Sequence, residues 1–523
     1  MTVSTPPAGG LPDRLRRLVL EVTLLPREHA DSGVRAPATG SVFGSIPLAT
    51  AEDLDHAVAR ARIAQPAWSA LSFRERGRVF LRFHDLLLAR QDEVLELIQL
   101  EAGKARRHAF EEVLDTAVVA RYYAWHTARF LRPRRRKGAL PALTRTIEHR
   151  VPVGVVGFIS PWNFPLTLGI TDAIAALMAG NAAILRPDPQ ASFTALWALA
   201  LLREAGLPHD VLQIVTGEGP VLGPALIDRV DYVMFTGSGR VGRQVAAQAA
   251  SRLIGCSLEL GGKNPMIVLP DADLDKAVEG AVRGCFPASG QVCVSIERIY
   301  VHESVYQRFL AAFAARAKAL RAGPLNDYAT EIGSLANERQ LSTVEEHVRD
   351  ALEKGATLVA GGRRRAGAGP LVYEPTVLTG VREGMKAFDQ ETFGPVVSVY
   401  PYSAEKDAVD LANQSPYGLN ASVWTRDTVA GMRVARALRA GMVNVNEGYA
   451  AAWGSVDSPI GGMKDSGLRP RHGAEGILKF TESQTVAFER LLPIAPCLGM
   501  SAAQWARVMT ALLKLLRWTR VLG

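Results

Sequence analysis

Four cysteines, ten histidines and 52 carboxylates make up the chain's reactive stock, and their neighbours decide which of them could react. Cys293 sits in Ser289-Gly-Gln-Val-Cys-Val-Ser295, a glycine-containing loop between a helical stretch and a strand. A thiol so placed is open enough to act as a nucleophile, although most free cysteines are simply small buried apolar residues. Cys285 falls on a helical pattern and Cys256 at the foot of a short strand, so both read as core; Cys497 lies in the tail without acid–base company. Glu259 stands in Ser257-Leu-Glu-Leu-Gly-Gly-Lys-Asn-Pro265, an acid among apolar neighbours beside a Gly-Gly break. Desolvation there raises a carboxyl pKa toward the range of a general base. The alternative is a strand-end carboxylate paired with Lys263. Pro161-Trp-Asn-Phe-Pro165 follows a buried strand, and its two prolines stiffen the loop carrying Asn163. A side-chain amide held still is a good oxyanion donor; the alternative is a loop Asn that satisfies backbone groups. Gly237-Ser-Gly-Arg-Val-Gly242 matches the spacing G-x-G-x-x-G between a strand and a helix, where bare backbone N–H groups can approach a pyrophosphate. That fingerprint belongs on the first strand–helix turn of its unit, and here it follows the fourth strand, so a plain tight turn is an equal alternative.

These residues need elements to hold them. Residues 1–45, rich in Pro, Gly and Ala, read as an arm before the first domain. Thr50 is a helix cap with acids behind it, and a helical pattern runs to about 130, broken near Ala70-Leu71-Ser72. From Val151 the pattern changes. Val-rich runs at 151–160, 182–185, 212–215 and 231–235 alternate with helical stretches at about 167–179, 192–205, 219–228 and from 240 onward. Short strands alternating with helices give an α/β fold with a parallel, doubly wound sheet. The alternation resumes after 260, with strands at 298–301 and 441–445, as a second α/β domain. The tail 501–520 sets Trp505, Val508, Met509, Leu512, Leu515 and Leu516 beside Arg507, Lys514, Arg517 and Arg520. That amphipathic pattern suits a membrane surface, a partner or the chain's own body.

The bulk numbers narrow the function classes. A chain of 523 residues exceeds what one core supports, so two or more domains are expected. A net charge of +8 is mild for this length, and the one dense basic run, Arg132 to Lys137, reads as a solvated connector; no nucleic-acid partner is expected. No histidine or cysteine spacing suits a metal. Four cysteines without a C-x-x-C pair form no disulfide framework, which fits a reducing compartment. The N-terminus lacks a signal-peptide core and no apolar run is long enough to span a bilayer, so the location expected is cytoplasmic.

Taken together, PWNFP at 161–165, FTGS at 235–238, LELGGKNP at 258–265, GQVC at 290–293, ETFGPVVSV at 391–399 and GGMKDSG at 461–467 resemble the aldehyde dehydrogenase superfamily, in its order, from about 45 to 488. The resemblance implies a Rossmann-like cofactor domain (46–130 and 151–258), a catalytic domain (259–470) and oligomerisation strands (131–150 and 471–488), with 489–523 left as an amphipathic tail. It implies attack of Cys293 on an aldehyde and an oxyanion held by Asn163 and the Cys293 N–H. Hydride transfer to NAD(P)+ would leave a thioester, hydrolysed by water that Glu259 activates. Cofactor contacts carried over are Trp162, Asn163, Gly237, Ser238, Leu260, Glu391, Phe393 and the stretch Arg186, Pro187, Asp188, Pro189. The family also implies a homodimer or homotetramer.

Two departures bear on specificity. The family usually carries Lys-Pro after the second strand, where this chain has Arg186-Pro187-Asp188-Pro189. Many NAD-preferring members have a glutamate at the position of Pro189; without it a 2′-phosphate is not repelled, and Arg186 can pair with one bidentately. Asp188 argues the other way, and NADP+ is the cofactor expected, with NAD+ as second. Stretches such as RLIGCSLELGGKNPMIV, NEGYAAAWGS and KFTESQT resemble bacterial succinate-semialdehyde dehydrogenases of the actinobacterial second type. Some such enzymes hold the distal carboxylate with arginines where this chain has Thr171 and Pro287, so either another partner, such as a basic or hydroxyl residue of the 450–472 loop, replaces them or the substrate carries no such carboxylate. The alternatives are a broad-specificity aliphatic or aromatic aldehyde dehydrogenase, a CoA-acylating relative, which usually lacks the base found here at Glu259, or a non-catalytic member, which would have lost Cys293 or Glu259.

Overall fold

A computed structural model describes residues 11–138, 144–323, 327–489 and 492–517. The helical stretch begins where Thr50 caps Ala51–Ala70. The Thr50 hydroxyl accepts from the Asp53 N–H, and the Asp53 carboxylate accepts from the Thr50 N–H. Ser72 and Glu75 repeat the device for Phe73–Ala89, so the chain breaks at 71–72, as the pattern predicts. Helices Gln91–Ala102 and Arg106–Leu131 follow.

The first sheet has the order 467–468, 255–259, 232–236, 155–160, 182–187, 212–214, parallel except for the edge pair 467–468 against 255–259. Its central strand Val155–Ser160 is buried throughout. Val156 and Phe158 face one core with the helix Pro165–Met178, while Val155 and Ile159 face another with the helix Ala51–Ala70. Helices on both faces explain the unbroken apolar run. The chain winds outward from 155–160 to 212–214, then returns to the other side with 232–236. Strands 155–160 and 232–236 therefore flank the switch point, where open α/β sheets have a crevice. Gly237, Ser238 and the first turn of the helix Gly239–Ser251 open onto that crevice although they follow the fourth strand in sequence.

The second sheet has seven strands in the order 357–360, 376–379, 396–402, 296–302, 264–268, 420–424, 442–445, all parallel except the pair 357–360 and 376–379. A third sheet of Arg134–Arg136, Thr144–Pro152 and Thr481–Glu489 is antiparallel and largely exposed. The basic run thus forms an edge strand rather than a loose connector.

Two expectations are corrected. Residues 11–47 are no arm: the helix Leu11–Val19 and the hairpin Asp31–Arg35 with Val42–Pro47 bury Leu15, Leu18, Val34 and Ile46 in the first core; residues 1–10 lie outside the described residues. Residues 471–480 are no oligomerisation strand, because the helix Gly473–Leu478 packs into the body and the strand starts at Thr481. The tail helix Ala502–Leu516 forms and buries none of its residues on its own chain; Trp518, Thr519 and Arg520 lie outside the described residues. Among the described residues, no helix is long and apolar enough to cross a membrane, and no group of His, Cys, Asp and Glu is placed to hold a metal.

Candidate active site

The carboxyl edge of the first sheet, the hairpin segment 32–40 and several segments of the second domain line a cleft of about 1420 Å³. Cys293, Glu259 and Asn163 all line it. Asn163 follows the strand Val155–Ser160 and is 5% exposed; its Nδ2 donates to the Gln291 carbonyl at 3.0 Å, leaving one N–H of the amide for another acceptor. Gln291 is itself fixed, its Oε1 accepting from the Ala336 N–H at 2.9 Å and its Nε2 donating to the Ala288 carbonyl at 3.0 Å. Ala288 and Ser289 have φ of 46° and 60°, and Gly290 has 74°. This left-handed run presses the cysteine loop onto the segment after Glu391: a Cβ on Gly290 would lie 2.1 Å from the Gly394 oxygen. The Cys293 carbonyl accepts from Asn264 Nδ2 at 2.8 Å, which ties the nucleophile's loop to the start of strand 264–268.

The thiol and the carboxyl are both shifted upward from their ordinary values. Burial pushes the Cys293 thiol up to about 12, followed by the charges of Glu259 and Glu391, while Arg471 pulls it down. Burial raises Glu259 to about 7, with Arg471 and Lys479 opposing and Asp172 adding. Glu259 Oε1 is buried without a hydrogen-bond partner. Lys263, its partner in the alternative reading, turns elsewhere: Lys263 Nζ donates to Glu297 Oε2 at 2.6 Å. Glu297 in turn accepts from the backbone N–H groups of Thr392 and Phe393 at 3.0 Å. That buried pair holds the loop carrying Glu391.

The cofactor residues split into three groups. From the first domain Trp162, Asp188, Pro189, Gly237, Ser238 and Leu260 line the cleft, and the Ser238 hydroxyl caps the helix Gly239–Ser251, whose N-terminus opens there. From the second domain Glu391 and Phe393 reach across; the Trp162 and Phe393 rings meet edge to face at 5.6 Å. Glu391 Oε1 accepts from the Gly262 N–H at 2.8 Å, and a Cβ on Gly261 would stand 2.2 Å from its Oε2, so the Gly-Gly break makes room for this carboxylate. Arg186 lines the cleft, but its Nε and Nη2 both donate to the Gly217 carbonyl, at 3.0 and 2.7 Å. The bidentate edge expected to meet a 2′-phosphate is therefore occupied, and only Nη1 remains. Pro187 pairs with Ser160 within the sheet and does not line the cleft. Bare glycine backbone, a helix N-terminus and a carboxylate reaching in from the facing domain suit a dinucleotide.

Sequence reasoning missed two groups of residues. Arg240 and Arg339 line the same cleft, are exposed, and form no ion pair with another described residue; Arg339 also lowers the pKa of Asp188 by its charge. Arg240 lay within the glycine fingerprint, where attention went to the glycines. Arg339 carried no local signal. The second group is Arg471 with Asp172 and Lys479, which meet Glu259 only through the fold.

The sequence model of the aldehyde dehydrogenase family matches residues 26–486. The chain belongs to the aldehyde dehydrogenase family. A protein of Mycolicibacterium smegmatis, provisionally named succinate-semialdehyde dehydrogenase [NADP(+)], is 48% identical over 501 residues, 96% of each chain. A protein of Mycobacterium tuberculosis with the same provisional name, numbered 2, is 46% identical over 97% of this chain and 98% of its own. Among solved structures, an E. coli NADP-dependent enzyme superposes with a TM-score of 0.86 at 35% identity, covering 91% of this chain and 99% of that one.

Proposed function

We propose that the protein oxidises succinate semialdehyde to succinate with NADP+, through a thioester on Cys293. The convergence of Cys293, Glu259 and Asn163 in one dinucleotide-shaped cleft carries the chemistry. The provisional names of the mycobacterial relatives carry the choice of aldehyde.

Each residue has one task. Cys293 gives its proton to solvent, and the thiolate sulfur bonds to the aldehyde carbon as the carbonyl electron pair moves onto oxygen. The oxygen that gains charge is met by the free N–H of Asn163 and by the Cys293 backbone N–H. When bound in the cleft, the nicotinamide supplies the acceptor for the hydride, so that the adduct becomes a thioester. Glu259 then takes a proton from water; the water oxygen bonds to the thioester carbon, the carbon–sulfur bond breaks, and the electron pair returns to Cys293 Sγ.

NADP+ over NAD+ is supported by the exposed cations Arg240 and Arg339 on the cleft and by Pro189 in place of an acid. Glu218, also on the cleft, favours neither the second phosphate nor its binding. The distal carboxylate has no cation at Thr171, whose hydroxyl donates to the Thr167 carbonyl at 2.7 Å, nor at the buried Pro287. We further read the chain as a cytoplasmic homodimer or homotetramer; the largely exposed third sheet supports assembly.

A panel of succinate semialdehyde, uncharged aliphatic aldehydes and aromatic aldehydes, each run with NAD+ and NADP+, tests this reading. The expected result is the highest kcat/KM for succinate semialdehyde with NADP+. Equal kcat/KM across the panel overturns the substrate, and equal values for the two cofactors overturn the preference.

A further inference from the structure

Glu259 is not an isolated acid in an apolar pocket. Arg471 Nε lies 3.9 Å from Glu259 Oε1, and both atoms are buried without a hydrogen-bond partner. On its other side the Arg471 guanidinium donates to Asp172 Oδ2 at 2.6 Å, and Lys479 Nζ donates to Asp172 Oδ1 at 3.3 Å. The Arg471 guanidinium also stacks over the Trp453 ring, 5.5 Å from its centroid. All three charged partners are at most 7% exposed.

The backbone fixes this arrangement. The Arg471 N–H donates to the Ile460 carbonyl at 2.7 Å, and the Ile460 N–H donates to the Arg471 carbonyl at 2.9 Å. Leu260, next to the base, donates its N–H to the Ser466 carbonyl at 2.9 Å. The loop carrying Arg471 is thus laced to the strand carrying Glu259. Asp172 comes from the helix Pro165–Met178, which starts just after Asn163.

Such a layout is costly for a purely structural ion pair. Asp172 receives two cations, while Glu259 faces one at a distance too long for a hydrogen bond. An arginine cannot give up its proton, so its charge is constant at working pH. We propose that Arg471, clamped by Asp172, is the positioning residue whose fixed charge orients and activates Glu259 for thioester hydrolysis. This rests on Glu259 acting as the base. Arg471 favours the carboxylate form against burial, and Asp172 moderates that pull. The other groups acting on Glu259 are Lys479 beyond the helix Gly473–Leu478 and Cys293 on the loop opposite, while His472 faces Arg471, Asp172 and Lys479. Burial and Arg471 lower His472 to about 3, so it stays neutral and adds no charge near neutral pH.

The test uses p-nitrophenyl acetate, which acylates the thiol without any cofactor, and propanal with NADP+. For the ester, a burst of p-nitrophenolate reports acylation of Cys293 and the later steady rate reports hydrolysis by Glu259. Arg471→Gln is expected to keep the burst, to slow hydrolysis about tenfold at pH 7, and to move the acidic limb up by about one pH unit. Arg471→Lys restores most of both. Asp172→Asn removes the moderating charge and moves the limb the opposite way, toward acid. The opposite signs separate this role from damaged packing, which moves both variants alike, and Asp172→Asn decides the matter if Arg471→Gln does not fold. An unchanged acidic limb in either folded variant, or shifts of the same sign, overturns the proposal. Glu259→Gln serves as control: hydrolysis surviving in that variant removes the base itself, whereas its loss alongside an unmoved limb in Arg471→Gln removes only the role of Arg471.

Discussion

Replacing Glu297 by Gln should damage both stability and cofactor binding, although Glu297 touches neither substrate nor cofactor. Lys263 and Glu297 are 2% and 3% exposed and 2.6 Å apart. The substitution leaves a buried ammonium without its counter-charge, a change that costs about 3–5 kcal/mol when a buried pair is broken from one side. Glutamine retains one oxygen for the N–H groups of Thr392 and Phe393, but each charge-assisted bond weakens by roughly half. The loop holding Glu391 against the Gly262 N–H loosens in consequence. The comparison is Glu405→Gln, which breaks the Arg433–Glu405 pair, with side chains 66% and 41% exposed. That pair is screened by water and is worth about 0–1 kcal/mol. Thermal unfolding and the KM for NADP+ are measured for both variants. Glu297→Gln is expected to unfold well below the wild type with KM raised severalfold, and Glu405→Gln to match the wild type. Indistinguishable melting and KM for the two variants would refute the reasoning, since burial would then have conferred no strength on the Lys263 pair.

Asn163→Ala should lower kcat by about 10²–10³, the loss typical of one oxyanion donor, with KM little changed; steady-state kinetics at saturating aldehyde read it, and an unchanged kcat contradicts the role. The rate of aldehyde oxidation should rise through about pH 7 as Glu259 ionises, since the base works as the carboxylate and its protonated form dominates below that pH. A pH–rate profile with its acidic limb near 4.5 would show a base that burial does not perturb.

The alternation of strands and helices was legible because buried parallel strands and amphipathic helices leave different periods in the sequence. Thr50 and its acids announced a real cap, and Cys293, Glu259 and Asn163 do converge on one cleft. Residues 11–47 were misjudged because Pro, Gly and Ala mark loops, while the packing of Val34 and Ile46 depends on a core built later in the chain. The alternative pairing of Glu259 with Lys263 does not form: Gly261 and Gly262 separate the ends of two strands that belong to different sheets, and the lysine meets Glu297, 34 residues on. Arg186 carried the right charge for a phosphate, yet the Gly217 carbonyl, 31 residues away, takes its bidentate edge. Asp172 and Arg471 are 299 residues apart, so no local pattern could pair them.

A covalent acyl group on Cys293 is the central claim, and Glu259→Gln should trap it. The variant is mixed with succinate semialdehyde and NADP+, quenched in acid, digested and analysed by mass spectrometry. The account predicts a succinyl mass on the peptide containing Cys293, and none on those containing Cys256, Cys285 or Cys497. An acyl group on another cysteine, or reduced cofactor formed with Cys293 unmodified throughout, would contradict it.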